Sequence, residues 1–355
     1  MNFTFHRKRV SGILAVLPAR EISFFEEMKN YNFPEARSLK LMETMGYNKR
    51  RAVEDGVCLS DLAVFGLQNL FERGLLRPAE IDALLVLTSS HDYILPPTSN
   101  VIQGRLCLKQ EMLCLDISQN CAGFVVGLTQ AFMLLEQENI RKVVLINGDI
   151  LSQRASPKDR SIYPMIGDAL TITVLERDPQ NSVIHADIKM DGSRSEALMI
   201  PAGGMRLPCS PETALLEDAG DSNLRAKNHL RMEGSAIFNF VQTEVPPLVE
   251  GLLARAGVTV EAVDYFLCHQ SNRFMLQKLA DKMNVPHNKM PSNVVENFGN
   301  SSGATIPVAI TFNLAERLKN GQALTCLAGF GAGLTWSALL MRMGDLTFCE
   351  LISFP

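Results

Sequence analysis

Although the chain holds eight cysteines, at 58, 107, 114, 121, 209, 268, 326 and 349, no two of them form a CxxC pair. None of the six histidines stands in an HxxxH or HExxH pair. This argues against a disulfide framework or a metal site, and for a reducing, cytoplasmic setting with mostly buried thiols. An excess of positive charge is missing too: the net charge is −4 and Lys and Arg are spread along the chain. Nucleic acid and anionic membrane surfaces are therefore poor partners. The one basic cluster, Lys49-Arg50-Arg51, reads as a solvated face. No apolar run is long enough to span a bilayer.

Hydrophobic residues make up 46% of 355 residues and charged residues 20%, the balance of a folded protein with one large or two ordinary domains. His6-Arg7-Lys8-Arg9 before an apolar stretch ending at Leu17-Pro18 has the outline of a short signal peptide. A first strand is the preferred reading, since an exported chain with unpatterned cysteines risks mispairing. Strand-like and helix-like segments alternate, which points to α/β layering.

The alternation repeats itself. Ile81–Leu87 reads as a buried strand after a helix over Leu62–Arg73, and Val263–Cys268 reads alike after a helix over Phe238–Arg255. The aspartates Asp82 and Asp264 lie 182 residues apart, and the strand ends at Gly148 and Gly329 lie 181 apart. A duplicated α/β unit follows, dividing near the polar stretch Arg177–Ser182 into 1–180 and 181–355. The same offset sets the loop around Cys121 against Asn300-Ser301-Ser302-Gly303. Helical patterns follow both loops, so two helix N-termini converge on one place, suited to a developing oxyanion.

Cys121 follows a strand-like Met112–Ile117 and opens a helix, where the dipole should lower its pKa and favour the thiolate. Ala122 and Gly123 leave room for a substrate. His269 ends the second-half strand, where open α/β sheets bind ligands. Asn300 alone would read as a turn or cap residue. In Gly329-Phe330-Gly331-Ala332-Gly333 a nucleotide loop is excluded by context, because Leu334–Met341 looks like a strand and not a helix. A glycine-rich bend there suits close approach of backbone to a ligand.

Asp116–Phe124, Cys268-His269-Gln270-Ser271-Asn272, Phe298–Pro307 and Gly329–Trp336 occur in that order. Together they resemble the β-ketoacyl-acyl-carrier-protein synthase III family of the thiolase superfamily. Weaker likenesses at Ser11-Gly12, Gly167-Asp168-Ala169, Asp191-Gly192-Ser193 and Met232-Glu233-Gly234 extend the match along the chain. The resemblance implies a thiolase-like αβαβα fold of two halves, the first carrying the nucleophilic cysteine and the second the histidine and asparagine. It implies that Cys121 takes an acyl group from a thioester. A malonyl thioester then loses CO₂ and attacks that group, with His269 and Asn300 holding the enolate oxygen. The N–H groups of Cys121 and Ala332 would form the oxyanion hole. Acyl-CoA and acyl carrier protein are the implied substrates and partners, no cofactor is needed, and a homodimer is expected.

Several positions depart from the family pattern. Ala332 replaces a usual glycine, and Lys40 stands where an adenine-stacking tryptophan is found in acetyl-CoA-primed relatives. The arginine of that clamp is matched by Arg160. Arg273 precedes the family's carrier-docking position by one residue, about 100° on a helix, and Phe274 takes the slot. Leu95 stands at the acyl-pocket gate, where a phenylalanine is common; an aliphatic gate implies an acyl group other than acetyl. Gly234, Phe238 and Asn272 match pantetheine-tunnel positions. Two further readings stay open. One is an acyltransferase passing the Cys121-bound group to an alcohol or amine; the other is a silent subunit of a heterodimer. Chain-iterating relatives that make pyrones or resorcinols share the same Cys-His-Asn set.

Overall fold

A computed structural model describes residues 1–180 and 182–355; Asn181, inside the junction stretch of the sequence reading, lies outside the described residues. Two sheets carry the architecture, and their strands are numbered here in chain order. The first sheet contains β2 (Lys8–Pro18), β3 (Ala83–Leu87), β4 (Leu113–Ile117), β5 (Lys142–Asp149), β6 (Ala169–Arg177) and β11 (Phe348–Phe354), in spatial order β11-β2-β6-β5-β3-β4. The second contains β1 (Asn2–His6), β7 (Val183–Met190), β8 (Tyr265–Cys268), β9 (Gln322–Gly331) and β10 (Thr335–Gly344), in order β1-β7-β10-β9-β8. Each half of the chain thus lends one terminal strand to the sheet of the other. The basic–apolar segment near the N-terminus is β2, whose apolar residues are buried inside the first sheet.

The duplication is visible in strand register. Ala83 pairs with Val143 between parallel β3 and β5, and Tyr265 pairs with Thr325 between parallel β8 and β9. Asp82 and Asp264 act alike: each carboxylate accepts a backbone N–H at the start of the neighbouring strand, from Lys142 at 3.2 Å and from Leu324 at 2.7 Å. All five β3 residues are buried, because helices cover both faces of the sheet.

Two helices, α3 (Gly123–Leu134) and α6 (Thr305–Lys319), lie between the sheets. Phe124 and Leu128 of α3 and Ile306 and Ile310 of α6 share one core with Leu85, Leu145, Leu267 and Leu327 of the strands. Outside the first sheet α1 (Leu59–Glu72) turns Leu59, Leu62, Leu67 and Leu70 inward at helical spacing. Its start is fixed by Asp61, which accepts the Cys58 N–H at 2.8 Å. The short α2 (Thr98–Arg105) packs on the same side. Outside the second sheet lie α4 (Gly234–Ala256) and α5 (Arg273–Lys282). The result is the layered αβαβα arrangement that the family resemblance implies.

One basic residue corrects the sequence reading. Lys49-Arg50-Arg51 forms a short strand, and alternation turns Arg50 inward. It is 2% exposed and is paired there with buried Glu27, with the guanidinium 4.3 Å from the ring of Tyr163. A buried cation needs such a partner.

Candidate active site

Loops from both halves meet at a cavity of about 300 Å³, lined by Cys121, His269, Asn300 and Ala332. Cys121 sits between β4 and α3. The bend between β9 and β10 reaches it closely: a Cβ on Gly331 would lie 2.5 Å from Cys121 Cβ and 3.0 Å from its sulfur. Glycine is the residue that lets backbone come this near a cysteine side chain. Cys121 Sγ lies 3.7 Å from Ser302 Oγ, so the two residues related by the repeat touch each other.

The thiol differs from expectation. Removal from water pushes Cys121 up to about 11, reinforced by the Asp149 carboxylate. The Ser302 hydroxyl and the residue's own N–H offset only part of this. A helix start two residues away does not make good the lost hydration of a thiolate, so the resting group is a neutral thiol.

His269 is buried at the end of β8, where its N–H donates to Ala328 O at 2.8 Å. Its ring meets Phe330 edge to face, centroids 5.4 Å apart. Burial lowers its pKa to about 3, leaving the imidazole neutral at ordinary pH. Nδ1 lies 2.7 Å from Thr305 Oγ1, and the same hydroxyl lies 2.9 Å from Ser302 O. The single Thr305 proton goes to that carbonyl and its oxygen also accepts the Gln270 N–H at 3.1 Å, so toward Nδ1 the hydroxyl offers a lone pair, which favours the ring hydrogen on Nδ1.

Asn300 is held by its backbone. Its N–H donates to Met165 O at 2.7 Å and its carbonyl accepts the Gly167 N–H at 3.1 Å. The crossing is tight, since a Cβ on Gly167 would stand 2.2 Å from Phe298 O and Gly299 has φ +81°. Asn300 Oδ1 accepts the Ser302 N–H at 2.9 Å, which leaves the amide nitrogen as the donor for the cavity.

Of the tunnel residues read from the sequence, Asn272 lines the cavity and also caps α5, Oδ1 accepting the Met275 N–H at 2.8 Å. The others lie off its wall. On α4, Ile237 faces the cavity, whereas Phe238 stacks on Phe274 at 5.8 Å and Gly234 is exposed. The Arg160 guanidinium sits 3.9 Å from the Phe33 ring centroid and donates to Asp221 O at 3.2 Å. Leu95 is 78% exposed in a loop with Ile94 and Tyr93. Arg273 pairs with Glu296, and Lys40 is exposed.

Sequence reasoning did not single out most of the wall: Leu151, Ile162, Met165, Ile166 and Leu198. Most sit in irregular segments without a periodic signal. Ser302 and Ser89 also line the cavity; the repeat offset had pointed at Ser302. All eight cysteines are free, and Cys114 is only half-buried because β4 is an edge strand. Among the described residues no helix is long and apolar enough to cross a membrane.

A family profile described as 3-oxoacyl-[acyl-carrier-protein] synthase III matches residues 115–192, and its C-terminal counterpart matches 253–343. The chain is 31% identical over 297 residues to a β-ketoacyl-[acyl-carrier-protein] synthase III of Streptococcus uberis, covering 83% of this chain and 88% of that one. It is 28% identical over 350 residues to a putative 3-oxoacyl-[acyl-carrier-protein] synthase 3 of Campylobacter jejuni, covering 98% and 97%. The crystal structure of a 3-oxoacyl-(acyl-carrier protein) synthase from Burkholderia xenovorans superposes with a TM-score of 0.92 at 30% identity, over 100% of this chain and 99% of that one. With its thiolase-like fold, the chain belongs to the 3-oxoacyl-[acyl-carrier-protein] synthase III family of condensing enzymes.

Proposed function

We propose that the protein is an acyltransferase that condenses an acyl group carried on Cys121 with a malonyl thioester, releasing CO₂ and a 3-oxoacyl thioester. The observation that carries this reading is the convergence of a thiol, an imidazole, a carboxamide and a glycine-rich bend on one largely apolar cavity. Cys121 Sγ attacks the donor thioester and its thiol leaving group departs. Decarboxylation of the malonyl group then yields an enolate, whose carbon attacks the acyl carbonyl as Cys121 Sγ leaves. Asn300 Nδ2–H donates to the enolate oxygen, joined by His269 when its Nε2 carries the ring hydrogen, and the N–H groups of Cys121 and Ala332 donate to the tetrahedral oxyanion. Such donors act strongly where water is excluded. The Asn300 amide orientation favours its role.

For the donor, engagement of Arg160 with Phe33 and Asp221 favours a carrier-protein thioester over CoA, whose nucleotide would have to displace those contacts. The protein acts as a cytoplasmic homodimer. Support comes from edge strand β4, where Leu113 and Leu115 are 41% and 43% exposed, and from the neighbouring Tyr93–Leu95 loop. The loop is tied to that strand through His91 and Asp116, 3.3 Å apart. An aliphatic Leu95 at the gate favours acyl groups longer than acetyl. The test is a panel of acyl-carrier and acyl-CoA donors followed by malonyl-carrier. Stoichiometric CO₂ and 3-oxoacyl product are expected; transfer of the acyl group to an alcohol or amine without CO₂ would overturn the reading.

A further inference from the structure

Asn300 is placed by its backbone, and one buried charge stands behind that placement. Residues 165–168 form a strip between Asn300 and the short strand Lys49–Arg51. On one side Met165 O accepts the Asn300 N–H at 2.7 Å, and the Gly167 N–H donates to Asn300 O at 3.1 Å. On the other side the Asp168 N–H donates to Arg51 O at 2.8 Å, and Arg50 Nη1 donates to Ile166 O at 3.2 Å. Ile166 is the residue that pairs with Asn300 in this crossing. Arg50 therefore satisfies the carbonyl in the middle of the strip that holds the carboxamide.

The same side chain reaches the other flank of Asn300. Gly299 has φ +81°, and a Cβ there would stand 2.9 Å from Arg50 Cβ and 2.8 Å from Gly167 Cα and N. The Arg50 stem thus packs against the residue before Asn300, while its head is bonded to the strip beside it. Buried Glu27 holds two arms of the guanidinium, Nη2 on Oε1 and Nε at 3.3 Å from Oε2. This leaves Nη1 aimed at Ile166 O, with the Tyr163 ring 4.3 Å from the guanidinium. A buried ion pair adds little stability over apolar residues of similar volume. What it supplies here is a rigid fork of donors, which lysine lacks.

We infer that Arg50 is a positioning residue for Asn300, fixing through Ile166 and Gly299 where the amide nitrogen meets the enolate oxygen. Resting on the condensation proposed above, this role touches only one half of it. Cys121 takes up the acyl group without Asn300, so loading does not depend on Arg50. Decarboxylation of the malonyl thioester uses the amide donor and does depend on it. Misplacing such a group by about 1 Å costs on the order of 100-fold in rate.

The test compares acyl loading, followed by intact-mass spectrometry, with CO₂ release from malonyl-carrier. Both are measured for wild type, R50K, E27L/R50M and N300A, with R50K also in the N300A background. Lysine keeps a charge for Glu27 but loses the arm to Ile166 O, and the apolar pair removes both charges together. Neither variant leaves an unpaired buried ion, and melting curves register their folding. Both should release CO₂ ~10- to 100-fold more slowly, while loading stays within about twofold of wild type. R50K should slow N300A no further, since the amide that it positions is gone. A merely structural pair would lower Tm and slow loading and CO₂ release together. Folded variants that release CO₂ within about twofold of wild type, equal losses in loading and release, or losses that multiply in N300A overturn the assignment. Loss of the fold in both variants overturns it as well. A wild type that loads no acyl group, or loads it and releases no CO₂, overturns the condensation reading itself, and the role of Arg50 with it.

Discussion

The two halves of this chain use one loop position for different chemistry. In the first half the loop before α3 carries Cys121; in the second the equivalent position before α6 carries Ser302, 3.7 Å away. The first supplies a thiol and the second a hydroxyl in a left-handed backbone. The halves also differ at the strand end, where the second half adds His269 and closes the glycine-rich bend over the sulfur. The repeat thus sets two helix starts face to face, with a thiol on one side and a hydroxyl on the other.

That asymmetry can be broken most severely at Cys121. Cys121→Ser, which makes the paired positions alike, should abolish acyl loading in an intact-mass assay. Next come the second-half donors. His269→Asn or Asn300→Ala should slow CO₂ release from malonyl-carrier by ~100- to 1,000-fold while acyl loading persists, because each removes a donor to the enolate oxygen. Thr305→Val removes the hydroxyl that holds His269 Nδ1 in place and should cost about tenfold in the same decarboxylation assay. Gly331→Ala forces a methyl against Cys121; about 1–3 kcal/mol of stability should be lost in denaturant unfolding.

The smallest effect is on pH-dependent stability. The folded pKa of His269, about 3, lies below its ordinary value of 6.5. Between these values the unfolded chain binds more protons, so the stability linked to His269 is complete above 6.5 and falls away as pH drops toward 3. His269→Asn should flatten the fall in Tm across that window relative to wild type.

Much of this site was legible before the fold was known, because strand periodicity and the repeat offset are local signals. Matching strands at Ala83 and Tyr265, and the opposition of residues 121 and 302, followed from counting alone. The acidity of Cys121 did not follow. A helix start is visible in sequence, but desolvation depends on what the other half packs against the sulfur. Arg50 misled for a related reason, since only the paired strand and Glu27 reveal its inward turn. Phe238 and Ile237 are neighbours on α4, and which of them faces the cavity depends on how that helix is rotated on its sheet. The methionine-bearing walls lie in irregular segments, where no period announces a face.

Peptide mapping of the protein after incubation with an acyl-carrier donor tests the account most directly. Eight free cysteines compete for the label, and Cys107 and Cys209 are the exposed ones. The acyl mass should appear on the Cys121 peptide alone, and subsequent malonyl-carrier should discharge it as a 3-oxoacyl product. Label on Cys107 or Cys209, or a Cys121 that stays unmodified, would contradict the account.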